Sequence, residues 1–197
     1  MDTNPNDDEL QAKGGANARE LACAFGNALL FVPPKGRPSL QVVQVTVTET
    51  ALTLVATDSH ILYRERLDCE ASGETVFLLE RDDVAAFARA AKTAQSGQLA
   101  TFQVYPSDVV LAVGGVEMRC RRPEDDYPNV ERLWVTAAVA TERVALSRVL
   151  VGQLVKIKGG AGPLADTLRF MLAGELRPVT FQVGERIDGL VMPVRVA

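Results

Sequence analysis

The sequence predicts an α+β fold assembled from repeated βαβββ units, with antiparallel sheets and the helices on one face. Three observations lead there. Short runs rich in β-branched residues with partial period-two alternation recur along the chain, and amphipathic helical stretches separate them. The order strand, helix, three strands returns three times at a spacing of about 65 residues. Of the 197 residues, 47% are apolar, enough to bury a substantial core.

The elements follow in order. Residues 1–15 are polar and Gly-rich without periodicity and read as a flexible arm, with at most a short edge strand near residues 10–12. Between residues 16 and 31 the apolar side chains Leu21, Cys23, Ala24, Phe25, Ala28 and Leu29 recur at helical spacing, leaving Arg19, Glu20 and Asn27 outward, and Pro33 and Pro34 end the helix. Residues 40–47, 51–57 and 60–67 form a three-stranded meander. A second unit opens with a strand at 75–79 and a helix at 81–94, whose Asp82 and Asp83 sit in the first turn and Arg89 and Lys92 toward the end, as the helix dipole favours. Strands at 99–105, 109–113 and 116–121 complete it, and the Pro-containing stretch 122–130 reads as a linker. In the third unit a strand at 142–146 leads to Ser147 as N-cap, a helix to Lys158 stopped by Gly159 and Gly160, and strands at 167–172, 179–183 and 190–196.

Composition narrows the function. Lys and Arg number 21 against 25 Asp and Glu, a net charge of -4, so any nucleic-acid contact must come from a local basic face. Three separated cysteines read as reduced thiols, and a single histidine without clustered ligands argues against a metal site; no cofactor is expected. The acidic start and the lack of a long apolar run predict a soluble cytoplasmic protein without membrane association.

Two short motifs carry more. Residues 56–63 read ATDSHILY and residues 191–196 read VMPVRV, with DYPNV at 126–130 as a third and weaker one. These resemble the bacterial sliding clamp, the beta subunit of DNA polymerase III, which is itself built from βαβββ units in pairs. The first is similar to the clamp's Thr-Asp-Gly-His-Arg-Leu segment, matched at Thr57, Asp58, His60 and Leu62, with Ser59 in place of the glycine and Ile61 in place of the arginine. The second is similar to the Met-Pro-Met-Arg-Leu ending, matched at Met192, Pro193 and Arg195, with Val194 and Val196 as substitutions. The likeness runs from about residue 16 onward.

The resemblance implies a clamp domain of two units over residues 16–130 and a half domain of one unit over 131–197. It implies a non-enzymatic processivity factor, bacterial or from a bacteriophage. Thr57, Asp58, His60, Leu62, Met192, Pro193, Val194 and Arg195 would form a cleft for short peptides of DNA polymerase and clamp-loader type proteins. Arg81, Arg89, Lys92, Arg148, Lys156 and Lys158 would face duplex DNA without reading its sequence. A homo-oligomer is expected, since four chains of three units would supply the twelve units of a closed ring. The competing reading is a clamp-like module that regulates replication or transcription proteins without forming a ring. Each residue also has a plainer role: Leu62 and Val194 suit a strand core, His60 and Asp58 a hydrogen-bonded turn, and the cations a solvated helix face. An Asp58–His60 catalytic dyad has no nucleophile beside it in the sequence.

Overall fold

The computed structural model describes residues 9–124, 126–134, 143–159 and 162–195. The first unit is β1 (Ala12–Asn17), α1 (Ala18–Ala28), β2 (Val42–Val47), β3 (Ala51–Thr57) and β4 (Ile61–Ser72). The second is β5 (Thr75–Glu80), α2 (Arg81–Lys92), β6 (Leu99–Val104), β7 (Asp108–Val113) and β8 (Val116–Arg121). The third contributes α3 (Arg148–Leu154), β9 (Leu168–Met171), β10 (Val179–Val183) and β11 (Ile187–Val191). The expected order of elements is therefore present twice in full, and a third time, among the described residues, from the helix onward.

All strand pairs are antiparallel, in the order β5-β2-β3-β4-β1-β6-β7-β8, and β11, β10 and β9 branch outward from β4. Twelve residues long, β4 is the junction: its residues 62–68 pair with β3, 61–65 with β11, and 69–72 with β1. α1 and α2 pack against each other over the strands, where Phe25 of α1 meets Phe87 of α2 edge-on at 6.1 Å and Phe31 stacks on Tyr63 at 5.1 Å. One apolar core runs through all three units, because Leu154, Phe181, Ile187 and Val191 join the residues buried under α1 and α2.

Several expectations are corrected. Residues 12–15, expected in a flexible arm, belong to β1, held between β4 and β6; Gly14 suits this place because a Cβ there would run into the Glu70 carbonyl, the Phe102 ring and Ala71. Residues 1–8 lie outside the described residues. Asn27, expected outward, is 3% exposed, since its amide has backbone and side-chain partners inside the protein. The third helix ends at Leu154 rather than Lys158; Ser147 is its N-cap residue as expected, though its side chain makes no capping bond. The last strand is Ile187–Val191, earlier than expected, and 143–147 form no strand; residues 142, 160 and 196 lie outside the described set. No helix among the described residues is long and apolar enough to cross a membrane.

Candidate functional site

The turn between β3 and β4 is built by its own side chains. Asp58 Oδ1 accepts the backbone N–H groups of His60 and Ile61, both at 2.9 Å, while Thr57 Oγ1 accepts the Ser59 N–H at 3.1 Å and donates to the Ile61 carbonyl at 2.7 Å. Ser59 sits at φ 77°, a conformation that glycine adopts freely and other L residues rarely. Asp58 thus braces the turn backbone.

The far end of the chain closes on this turn. β11 adds to β4 with Leu190 opposite Leu62 and Val191 opposite Ile61, and the Met192 N–H donates to the His60 carbonyl at 2.9 Å. Gly189 makes the approach possible, because a Cβ there would meet the Leu62 carbonyl and the Phe181 ring. A polar staple fixes the register: Arg64 donates from Nε and Nη2 to the two carboxylate oxygens of Asp188 at 2.9 and 2.7 Å. The same guanidinium lies 3.9 Å from the centroid of the Trp134 ring, tying the segment after the linker to this edge. The hydrogen bond to Asp188 holds the Arg64 pKa above its ordinary value.

Over this joint lies an apolar cleft of about 200 Å³, walled by Leu40, Thr57, His60, Leu62, Leu190 and Met192, with Pro128, Val130 and Leu133 from the linker side and Pro178 behind. Leu62, Val55, Val130 and Leu190 form a small buried cluster beneath, against which Tyr127 and Trp134 pack. Of the expected cleft residues, Thr57, His60, Leu62 and Met192 come together here, and Asp58 supports them from the turn. Val194 and Arg195 do not line this cleft. They line a separate, larger groove of about 550 Å³ with Arg143, Val144, Ala145, Glu175 and Leu176, because the chain beyond Met192 crosses to Ala145, whose carbonyl accepts the Val194 N–H at 2.8 Å. Pro193 lies between the two and lines neither.

On the helical face a second groove, about 560 Å³, runs between α1 and the turn after α3. Its floor is Ala22, Cys23, Gly26 and Leu30, and its rim carries Arg19, Lys92, Lys156 and Lys158. Lys92, Lys156 and Lys158 were among the expected DNA-facing residues, and Arg19 was not. The structure does not bring Arg81 into this groove: its Nε donates to the Val32 carbonyl at 3.4 Å and it lines a different, polar cavity with Asp82 and Glu80. Arg89 and Arg148 are exposed and outside the groove.

Beneath the groove is a buried polar cluster that the sequence did not announce. Glu65 is 1% exposed, and one of its oxygens takes the Tyr63 hydroxyl hydrogen bond and that of Asn27 Nδ2 at 3.3 Å. Asn27 also clasps the backbone of Lys158, donating to its carbonyl at 2.7 Å and accepting its N–H at 2.9 Å. Burial pushes the Glu65 carboxyl above the usual carboxylate range, opposed by the Tyr63 and Asn27 hydrogen bonds. Burial, then the neighbouring Glu65, lifts the Tyr63 phenol well above its ordinary value.

With this geometry in place, comparison with solved structures is informative. A DNA polymerase sliding clamp from Pseudomonas aeruginosa superposes with a TM-score of 0.80 at 12% identity, over 99% of this chain and 69% of that one. The Bacillus subtilis sliding clamp gives 0.79 at 14% identity, over 100% and 67%. The chain has the fold of the bacterial DNA sliding clamp. The DNA polymerase III beta subunit of Thermotoga maritima matches as well, with a TM-score of 0.74 at 13% identity over 100% of this chain and 68% of that one. No protein-family model matches the sequence, and no curated protein is similar to it at the sequence level. The clamp fold expected from the motifs is thus borne out, in a chain spanning about two thirds of a clamp subunit's length.

Proposed function

We propose that this chain acts as a sliding-clamp-like processivity factor, taking short peptides of DNA polymerase and clamp-loader type proteins in the cleft between His60 and Met192. The observation that carries the reading is the meeting of two motifs far apart in sequence, the Thr57–Leu62 turn and the Met192 segment, around one apolar groove on a clamp fold. Leu62 and Leu190 give a fixed apolar floor, and Met192, 42% exposed, gives an adaptable wall suited to several partners. His60 at the rim is placed to meet polar groups of a bound segment. On the helical face, Arg19, Lys92, Lys156 and Lys158 face duplex DNA and contact phosphates only, a role that needs cations and no base readout.

Calorimetry with a synthetic clamp-binding peptide taken from a DNA polymerase tests the cleft. Micromolar binding is expected, and Met192→Ala should weaken it about tenfold, equivalent to about 1.4 kcal/mol. Equal affinity for the two proteins would remove the cleft from the account. Leu62→Ala is a poor test, because Leu62 is 3% exposed and its truncation would damage the cluster beneath. For DNA, Lys92→Glu combined with Lys156→Glu should flatten the dependence of log affinity on log salt by about two, close to one per lost phosphate contact. An unaltered slope would return those lysines to a solvated face.

A second reading keeps the cleft and drops encirclement: a clamp-like module that binds replication or transcription proteins. The single third unit favours it, since no βαβββ partner for that unit occurs among the described residues of the chain. Retention on closed circular DNA that is lost on linearisation separates the two.

A further inference from the structure

In the first two units each opening strand is exchanged. β1 of the first unit pairs with β6 of the second, and β5 of the second pairs with β2 of the first. The outer edge of each second strand is thereby covered, and α1 and α2 close over the same exchange. The third unit has the corresponding parts. Residues 143–147 precede α3 as β1 precedes α1, and one side of them is occupied in the same manner: the continuation of β11 bonds to Ala145, as the continuation of β4 pairs with β1. The other side of this segment, and the outer edge of β9, pair with no strand among the described residues.

Two side chains mark the uncovered face. On β9, Phe170 lies opposite the buried Phe181 and so points to the core side, in the place of Val45 on β2 and Phe102 on β6. Those two are 3% and 4% exposed, whereas Phe170 is 42% exposed. Phe25 in α1, Ala88 in α2 and Val155, the C-cap residue of α3, each follow the N-cap residue by eight positions. Phe25 and Ala88 are 2% and 4% exposed, and Val155 is 71% exposed. A strand edge and a helix position that are covered in both complete units are open together in the third.

We propose that the third unit is half of a domain, completed by the third unit of a second copy of this chain about a twofold axis. The register follows from the first two units, where Leu79 lies opposite Val43 and Phe77 opposite Val45. Carried over, Leu146 of one copy lies opposite the partner's Leu168, and Val144 opposite the partner's Phe170. Residues 143–147 of each copy extend the other's sheet at β9, and the two α3 helices cover each other's Val155. A second copy is the occupant because the face requires an extended segment followed by a helix, as in one βαβββ unit, and the third unit of another copy offers residues 143–147, one side of which pairs with no strand among the described residues, followed by α3. Apolar pairs result at both inward positions of the register, the pairing that a shared core requires. This interface uses neither the His60 cleft nor the basic groove.

Sedimentation of the full chain tests it. A particle holding an even number of chains is expected, and Phe170→Glu combined with Val155→Glu should halve its mass. The polymerase-peptide titration should read the same in the halved particle, so a failed cleft and a failed interface are told apart. A second arm does not depend on the double variant folding: a chain bearing Val144→Cys is mixed with a differently tagged chain bearing Phe170→Cys and oxidised. A disulfide joining the two tags is expected, and neither variant should form one with the unaltered chain. A single-chain mass at every concentration, an unchanged mass in a folded double variant, or no cross-link between the mixed chains would overturn the proposal.

Discussion

Gly189→Ala should lower the melting temperature by about 6–12 °C, the shift produced by about 3 kcal/mol in a domain of this size. The added methyl meets the Leu62 carbonyl on one side and the Phe181 ring on the other, so relief requires β11 to move away from β4 or Phe181 to leave the core. Phe181 is fully buried, and β11 is held by five register pairs and the Arg64–Asp188 staple, so neither yields cheaply. Peptide affinity should fall along with stability, since Leu190 and Met192 hang from the same strand. A thermal scan by circular dichroism is sufficient; an unaltered midpoint would mean that β11 does not sit on β4 in this register.

Glu65→Gln should change how stability depends on pH. Because burial raises its pKa, Glu65 holds its proton more tightly in the folded chain than in the unfolded one. Its contribution is therefore fully present below the unfolded value, near 4.3, and is lost as the pH rises through the folded value. Arg186 counters the shift electrostatically and Glu20 adds to it, but neither is among the groups hydrogen-bonded to the carboxylate. The neutral glutamine has no charge to bury. Denaturant titrations at several pH values from 4 to 9 should show the difference between variant and parent moving toward the variant, by about 1.4 kcal/mol for each pH unit between the two pKa values. Parallel curves would place the ionisation elsewhere. Asn27 and Tyr63 remain in place in both proteins, so the comparison isolates the charge.

Why some of this was readable from residues and some not has physical causes. The β3–β4 turn announced itself because Thr57 and Asp58 carry side-chain oxygens at the spacing that caps a turn. Strands such as Ala51–Thr57, Val116–Arg121 and Val179–Val183 match the reading residue for residue, having clear β-branched runs and turn-forming breaks. β1 was missed because its central glycines lack propensity for a strand; their value is lateral, in letting two neighbours come close. The third helix was extended too far because Leu154 and Ile157 keep helical spacing, yet the Lys158 backbone is claimed by Asn27 from another unit. Arg19 was assigned to the solvated side of α1, correct for exposure but silent on which cations lie across the groove. Val194 and Arg195 entered the cleft by analogy with a motif, and the crossing to Ala145 takes them past it. Contacts between distant segments leave no local pattern, and Glu65 is the clearest instance: in sequence it is one more polar residue of an alternating strand.

The composite origin of the groove at His60 also bears on folding. Its first wall is complete within the local β3–β4 hairpin, but its second, at Leu190 of β11 and Met192 just beyond it, comes from a segment remote in sequence. Joining segments so remote along the chain makes their docking a late event with a large loop-closure cost. A chain with β11 undocked would keep the hairpin and lack the groove's second wall, so the groove exists only where the two remote segments have met.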